Sequence, residues 1–143
     1  MDTPGGRPSL TRADIIRQFI PDSPYVGHLG MQLIDMQPDT ATLAMPFDEK
    51  LVTIGTTVHG GAIASLIDVA AAAAAWSDDT IPESMRGSTV SLNVAYLAPA
   101  ERQDLRATAR VLRRGRSLVY LDVEVQTSSG SPVAKGLVTY KLG

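Results

Sequence analysis

The sequence predicts an α+β domain in which an antiparallel sheet of about six strands wraps around one long buried helix. Residues 60–77 predict the helix, because almost every side chain there is small or apolar, as in helices that are buried on all sides. Alternating apolar and polar residues, separated by turn residues, predict the strands. A chain of 143 residues with one such helix indicates a single core.

The N-terminal part predicts a short helix ahead of the main domain. We assign residues 1–23 to this N-terminal segment and residues 24–143 to the domain. Thr11 followed by Asp14 is typical of a helix N-terminus, with a capping hydroxyl and an acidic first turn. The helix should end before Pro21. Its partly buried side chains should be Ile15, Ile16 and Phe19.

The predicted strands account for most of the remaining chain. The first two flank a Pro38-Asp39 turn, and the last two are joined through the polar turn at residues 128–130. The second strand alternates plainly, with Ala41, Leu43 and Met45 on one face. The six predicted strands are residues 29–36, 40–47, 89–97, 104–112, 118–126 and 133–142.

Composition narrows the classes of function. A net charge of −2 provides no basic field for nucleic acid. The absence of cysteine excludes disulfides and thiolate chemistry, and two histidines argue against a conventional zinc site. The first residues lack the basic and apolar regions of a signal peptide, and the apolar run at 62–75 is too short to cross a bilayer. We therefore expect a cytoplasmic protein without a metal, nucleic-acid or membrane partner.

The start of the predicted helix has the chemistry of an anion site. Residues 58–62 read V-H-G-G-A. The first N–H groups of a helix have no intrahelical partners, and the helix dipole adds positive potential there. Gly60 and Gly61 carry no Cβ, so a ligand atom can approach their N–H groups. This arrangement suits a carbonyl oxygen that becomes negative, although an isolated Gly-Gly pair more simply allows a tight turn.

Asp68 strengthens the functional interpretation. A carboxylate on so apolar a helix is costly to bury unless it is paired or used. At 100° per residue it lies in a strip of small side chains, where a slim substrate or another backbone could lie close. Packing against a partner helix, with Asp68 bonded to a hydroxyl, is the structural alternative, and the two are compatible. The strip comprises Gly61, Ala64, Ser65, Ala71, Ala72 and Ala75.

The spacing of these groups predicts a dimer. Gly60 and Asp68 are eight residues apart, which is roughly 12 Å along a helix. One reacting carbonyl cannot contact both groups within one subunit. Two antiparallel helices related by a two-fold axis would bring Gly60 of one subunit near Asp68 of the other. We therefore predict a homodimer with two sites at its interface.

The complete pattern resembles the PaaI-type hotdog-fold acyl-CoA thioesterases. The resemblance runs from about Pro24 to the C-terminus. It rests on H-G-G at 59–61 with an aspartate seven residues after the second glycine, within this order of strands. Further matching segments are H-L-G at 28–30, S-L-N-V-A-Y-L at 91–97, R-R-G-R-S at 113–117 and the final strand.

The resemblance implies roles for individual residues. Gly60 would donate its backbone N–H to the thioester carbonyl, and His59 would shape that loop. Asp68 of the other subunit would be the nucleophile or the general base for water, a choice that the sequence leaves open. A hydroxyl on the next strand would support the water, and Thr89 aligns best, with Ser88 as the alternative.

The resemblance also implies a substrate-binding set. Gly61 and Ser65 would lie beside the substrate. Relatives commonly have Asn where this chain has Thr53, so the second support for the thioester or water differs here. A basic turn would hold the phosphates of coenzyme A. The residues of this turn are Arg113, Arg114, Arg116 and Ser117.

The implied activity is hydrolysis of an acyl-CoA thioester to the free acid and CoA. It needs no cofactor, since CoA enters as part of the substrate, and the dimers of this family often pair into tetramers. Two alternatives stay open. An acyl-CoA hydratase or dehydratase would use His59 with Asp68, although the Asp, Asn-Pro and His pattern of hydratases is absent. A non-catalytic module would bind acyl-CoA or an aromatic ligand without turnover.

Overall fold

Eight strands and three α-helices make up the fold in the computed structural model, which describes residues 9–143. One 3₁₀ turn, Glu49–Leu51, lies between β2 and β3. The helices are α1 (Arg12–Asp22), α2 (Pro24–His28) and α3 (Gly60–Ala75). The strands are β1 (Gln32–Gln37), β2 (Thr40–Met45), β3 (Val52–Ile54), β4 (Thr57–Val58), β5 (Gly87–Tyr96), β6 (Leu105–Arg114), β7 (Leu118–Thr127) and β8 (Pro132–Leu142).

Six strands form one antiparallel sheet in the order β1-β2-β6-β7-β8-β5. The predicted α+β class is therefore confirmed. The two edge strands of the sheet are β1 and β5. Strand β5 pairs along its whole length with β8. In the long strands β7 and β8, every second residue faces the core. In β7, for example, Val119, Leu121 and Val123 are almost fully buried.

Helix α3 occupies the concave side of this sheet and forms the centre of the core. It contacts five of the sheet's strands closely, namely β2, β6, β7, β8 and β5. Leu66, Ile67 and Ala70 are fully buried, and alanines fill most of the helix's remaining buried positions. Small side chains allow the helix and sheet to approach closely. Gly136 on β8 lies at the tightest point, where a Cβ would stand 2.7 Å from Ile67 Cγ2.

Helix α1 is docked on the same core. Thr11 and Asp14 form a reciprocal capping box, and these hydrogen bonds hold the pKa of Asp14 below its ordinary value. Ile16 and Ile20 are buried in the core. The N–H groups of Arg12 and Ala13 donate to the carbonyls of Thr80 and Asp78, which satisfies donors that a helix start otherwise leaves open.

Several predicted boundaries were wrong. The first strand starts at Gln32 rather than residue 29, because residues 24–28 form α2 and Gly30 takes a positive φ of 73° in the turn that follows. Helix α1 continues through Pro21, which lies in its last turn and therefore removes only one helical hydrogen bond. Phe19 is 60% exposed, and the small β3–β4 sheet was not predicted.

Residues 1–8 of the predicted N-terminal segment lie outside the described residues. Within the part of the chain that is described, no helix has the length and apolar character that a membrane crossing requires.

Candidate active site

Asp68 lies at the middle of the accessible face of α3. Its carboxylate is half-buried, and the Thr89 hydroxyl donates a hydrogen bond of 2.6 Å to Oδ1. Thr89, rather than Ser88, is thus the β5 hydroxyl beside the carboxylate. Across residues 9–143, Asp68 has no salt bridge and no second hydrogen bond to a side chain. The other carboxylate oxygen is available for chemistry.

His59 is the N-cap of α3 and organises the first turn. Its Nδ1 accepts a hydrogen bond of 2.7 Å from the Gly61 N–H, and its carbonyl accepts from Ala62 and Ile63. Because Nδ1 accepts, a neutral ring carries its proton on Nε2. Among residues 9–143, no acceptor is found for the Gly60 N–H. This amide can therefore donate to a ligand.

Both glycines have close neighbours. A Cβ on Gly61 would lie 3.0 Å from His59 Nδ1, and a Cβ on Gly60 would lie 3.3 Å from the Tyr96 ring. The Tyr96 hydroxyl also donates a 2.7 Å hydrogen bond to the Gly60 carbonyl. Sequence reasoning missed this contact, since residues 36 positions apart meet only through the fold. Tyr96 therefore fixes the orientation of the peptide group between Gly60 and Gly61.

The strip of small residues is present but shorter than predicted. Gly61, Ala64, Ser65 and Ala72 are at least partly accessible beside Asp68, whereas Ala71 and Ala75 are fully buried. The difference arises because Ala71 and Ala75 face the core, where α3 packs against the sheet. The accessible part of the strip therefore runs from Gly61 to Ala72.

Ser65 is tied to the helix and to α2. Its hydroxyl donates to the Gly61 carbonyl at 2.9 Å and lies 3.0 Å from the Tyr25 hydroxyl. Tyr25 is a second residue of the site that sequence reasoning missed. Its position depends on α2, a five-residue helix that begins with Pro24 and lacks the length that a periodic pattern needs.

A cavity of about 300 Å³ opens beside the Asp68–Thr89 pair. It lies between α1, α2, the accessible face of α3 and the start of β5. Its polar side chains come from Ser23, Tyr25, Asp68, Ser88, Thr89 and Tyr140. Its apolar wall comes mainly from Ile16, Phe19, Ile20, Val26, Val69 and Ala72. The apolar residues of α1, expected only to pack, thus line the space next to the carboxylate.

A buried hydrogen bond holds Tyr140, which lines this cavity. Trp76 Nε1 donates to the Tyr140 hydroxyl at 2.9 Å. Burial raises the pKa of the Tyr140 phenol above its ordinary value of 10.0; the Trp76 hydrogen bond lowers it, and the negative charge of Asp68 raises it. The phenol therefore stays neutral next to the site.

The arginines of the β6–β7 turn have two different environments. Arg114 contacts Asp39 at 2.9 Å and Asp78 at 3.3 Å, and it donates to the carbonyls of Ala74 and Ala75 at the end of α3. A cation at this end of a helix is stabilising. Arg114 is therefore engaged within the fold, and its predicted contact with the phosphates of coenzyme A stays a prediction.

The other members of the predicted phosphate-binding set remain accessible. Arg113 and Arg116 are exposed, while Ser117 is half-buried and its carbonyl accepts from the Leu142 N–H. Thr53 is exposed on β3, in the hairpin that leads into α3, and within residues 9–143 no side-chain hydrogen bond joins it to Asp68 or Gly60. Over the same residues, no cluster of His, Asp and Glu side chains is arranged to hold a metal ion.

Comparison with known proteins agrees with this geometry. The sequence profile of the Thioesterase superfamily matches residues 55–134, which include the H-G-G turn, α3 and β5 to β7. The chain is 34% identical over 126 residues to the Halobacterium salinarum protein VNG_1336C, whose name gives it as a candidate esterase; the match covers 86% of this chain and 83% of that protein.

Two further similarities cover most of the chain. It is 29% identical over 140 residues to the medium/long-chain acyl-CoA thioesterase YigI of Escherichia coli, which covers 87% of this chain and 89% of YigI. A thioesterase family protein from Silicibacter pomeroyi has the same fold, with a TM-score of 0.84, 26% identity and coverage of 92% and 99%. The chain therefore belongs to the thioesterase superfamily, with the hotdog fold, and is a thioester hydrolase.

Proposed function

We propose that this protein hydrolyses an acyl-CoA thioester, with Asp68 of one subunit and the Gly60 N–H of the other acting on the same carbonyl. The observation that carries the proposal is the Asp68–Thr89 hydrogen bond, which holds a carboxylate without a cationic partner in the described chain at the wall of a cavity lined by apolar side chains and several hydroxyls. Coenzyme A as the carrier is supported by YigI and by the human acyl-coenzyme A thioesterase 13, which is 29% identical over 114 residues.

The geometry is suited to two routes. In the first, an Asp68 oxygen attacks the carbonyl carbon, CoA leaves as the thiolate, and water then hydrolyses the acyl-aspartyl anhydride. In the second, Asp68 takes a proton from water as that water attacks. Both routes place negative charge on the carbonyl oxygen, where the Gly60 N–H of the partner subunit would donate. The Thr89 hydroxyl orients the carboxylate in both.

The edge strand β5 supports the dimer that this mechanism needs. It is ten residues long and exposes Val90 (53%), Leu92 (39%) and Tyr96 (54%). Proteins usually cover so long an apolar edge. Asp68 is attached to β5 at Thr89, whereas Gly60 is attached at Tyr96. A two-fold axis between antiparallel β5 strands would therefore place Gly60 of the partner subunit beside Asp68.

The exposed arginines Arg113 and Arg116 would contact the phosphates of CoA. They lie on the same turn as Arg114, whose contacts with the end of α3 fix that turn in position. An exposed guanidinium pair on a fixed turn is well suited to bidentate contacts with phosphate oxygens.

The first experiment measures CoA release from acetyl-, hexanoyl-, decanoyl- and phenylacetyl-CoA. Asp68→Asn should lower turnover roughly 10²- to 10⁴-fold and retain the fold, because the amide oxygen still accepts from Thr89. Asp35→Asn, an exposed substitution on β1, is the matched control and should be active. Tight binding of acyl-CoA without turnover in the wild type would instead identify a binding module.

The second experiment tests whether the site is shared between subunits. Asp68→Asn and Gly60→Pro are each expected to be inactive alone, since Pro removes the N–H donor. A mixed dimer, isolated by two different affinity tags, has one site with both groups intact and should recover roughly half of wild-type activity per dimer. Mixed dimers as inactive as their parents would exclude a shared site.

A further inference from the structure

A second cavity adjoins the candidate active site. Its volume is about 180 Å³, and its wall includes three residues of α1. The two cavities have four lining residues in common, so the second cavity adjoins the space beside Asp68. These are Ile16, Phe19, Gly87 and Tyr140.

The walls become apolar with distance from Asp68. The first cavity is lined by a carboxylate and several hydroxyls. In the second, the only polar side-chain atoms on the wall are Trp76 Nε1 and the Tyr140 hydroxyl, and they are bonded to each other at 2.9 Å. The remaining wall consists of Ile15, Ile16, Phe19, Met85 and Gly87. This wall offers apolar contacts to a ligand and requires few polar ones.

Gly87 lies where the two cavities meet. A Cβ at this position would press against the Tyr140 hydroxyl and lie 2.9 Å from Trp76 Nε1. The absence of a side chain therefore leaves the buried hydrogen bond intact and adds no bulk where the two cavities adjoin. An elongated ligand can extend from Asp68 past Gly87 toward Met85.

Exposed apolar side chains beside the second cavity also favour an elongated apolar ligand. Phe19 and Met85 are 60% and 69% exposed, although both line the second cavity. A hydrocarbon chain lying there would cover both side chains, and each methylene that it buries would contribute to binding.

We propose that the second cavity receives the distal part of a straight-chain acyl group of medium length, which makes Ile15 and Met85 specificity-determining residues. The inference rests on the proposed function, in that the first cavity must hold the carbonyl and its adjacent carbons. To the proposed function it adds the class of acyl group and the residues that limit the length of the acyl chain.

The experiment uses S-alkyl-CoA thioethers from ethyl to decyl as ligands that cannot be hydrolysed, with calorimetric affinities for the wild type and three variants. Ile15→Trp and Met85→Trp fill the second cavity from α1 and from the segment before β5, and Met85 is exposed enough to tolerate the change. Ile34→Trp, on the exposed face of β1, is the matched control. The corresponding acyl-CoA esters supply kcat/KM for the same proteins.

For the wild type, the affinity should rise about two- to fourfold per added methylene until the second cavity is filled. Ile15→Trp and Met85→Trp should lose this gain for octyl and decyl ligands and retain the affinity for ethyl and butyl ligands, while Ile34→Trp keeps the full gain. An affinity independent of chain length in the wild type would overturn the inference, and so would a wild-type dependence on chain length in both cavity-filling variants. A changed oligomeric mass in Met85→Trp together with an unchanged profile would assign the groove to a subunit contact.

Failure of the proposed function would be distinguishable. It would appear as absent CoA release from every ester, whereas the thioether affinities report on the cavity independently of turnover.

Discussion

The Thr89 hydroxyl lies 2.6 Å from Asp68 Oδ1 and joins the middle of the central helix to the edge strand β5. Near the other end of β5, the Tyr96 hydroxyl lies 2.7 Å from the Gly60 carbonyl and joins the strand to the start of the same helix. The two groups proposed to act on one carbonyl are thus held by opposite ends of one edge strand. A symmetric pairing of that strand would bring them together.

The Thr89 hydroxyl should matter for turnover more than for folding. Thr89→Val removes the only side-chain donor to Asp68 in the described chain and should lower kcat by about tenfold or more, with a small change in unfolding temperature. Thr89→Ser keeps the hydroxyl and should stay within a few-fold of wild type. Ser88→Ala is the neighbouring control. Equal kcat values for the Val and Ser variants would contradict the role of the hydroxyl.

The Gly60 amide should be the oxyanion donor. His59 has φ −63° and ψ 135°, a conformation that the residue before a proline adopts readily, and proline suits the first position of a helix. Gly60→Pro should therefore fold and lose about 10²- to 10³-fold in kcat. Gly60→Ala keeps the N–H and adds the same Cβ near Tyr96. If both variants lose activity equally, steric contact with Tyr96 explains the loss instead.

Substitution of Arg114 should lower stability, whereas substitution of Arg113 should weaken substrate binding. Arg114→Ala removes contacts with Asp39, Asp78 and two helix carbonyls, and should lower the free energy of unfolding by about 1–3 kcal/mol. Arg113→Ala should leave stability unchanged and raise KM for acyl-CoA, with a weaker salt dependence of binding. Denaturant titrations and kinetics at two ionic strengths measure both. A larger KM effect from Arg114→Ala would restore Arg114 to the phosphate site.

Gly136 should be needed only for the close packing of β8 against α3. An alanine Cβ would stand 2.7 Å from Ile67 Cγ2, within the fully buried centre of α3. Gly136→Ala should lower the free energy of unfolding by about 1–3 kcal/mol, as overpacking usually does. Gly27→Ala, where no atom lies within 4 Å of the added Cβ, is the control and should lose no stability. Denaturant titrations at one protein concentration compare the two.

Tyr140 should make stability fall at alkaline pH. Burial raises its pKa in the folded state above the ordinary value of 10.0, so the folded protein retains the phenol proton where the unfolded chain loses it. Stability is then fully present below pH 10.0 and is lost as pH rises toward the folded-state pKa. Tyr140→Phe should show a shallower loss of stability above pH 10.0 than the wild type. Parallel curves for wild type and Tyr140→Phe would contradict this linkage.

The sequence by itself determined the central helix, the strands of the sheet and the capping of α1. These features depend on local patterns: residues 60–75 are apolar on nearly all sides, the strands alternate with a period of two, and Thr11 and Asp14 are three residues apart. The same local geometry placed Asp68 in a strip of small residues on α3, whereas Thr89 was expected beside it only from the resemblance to the PaaI-type thioesterases.

Only the tertiary structure decided which distant residues meet around Asp68. Phe19 and Ile16 line the cavity because α1 packs against α2 and β1 and its first N–H groups bond the segment that follows α3. Tyr96 reaches Gly60 because β5 runs alongside α3. Arg114 belongs to the turn that was predicted to bind phosphate. Its guanidinium donates to the carbonyls at the end of α3, because the end of β6 lies beside that end of the helix. A sequence pattern reports which face of an element is apolar. The contacts between elements depend on how those faces pack across long separations in the chain.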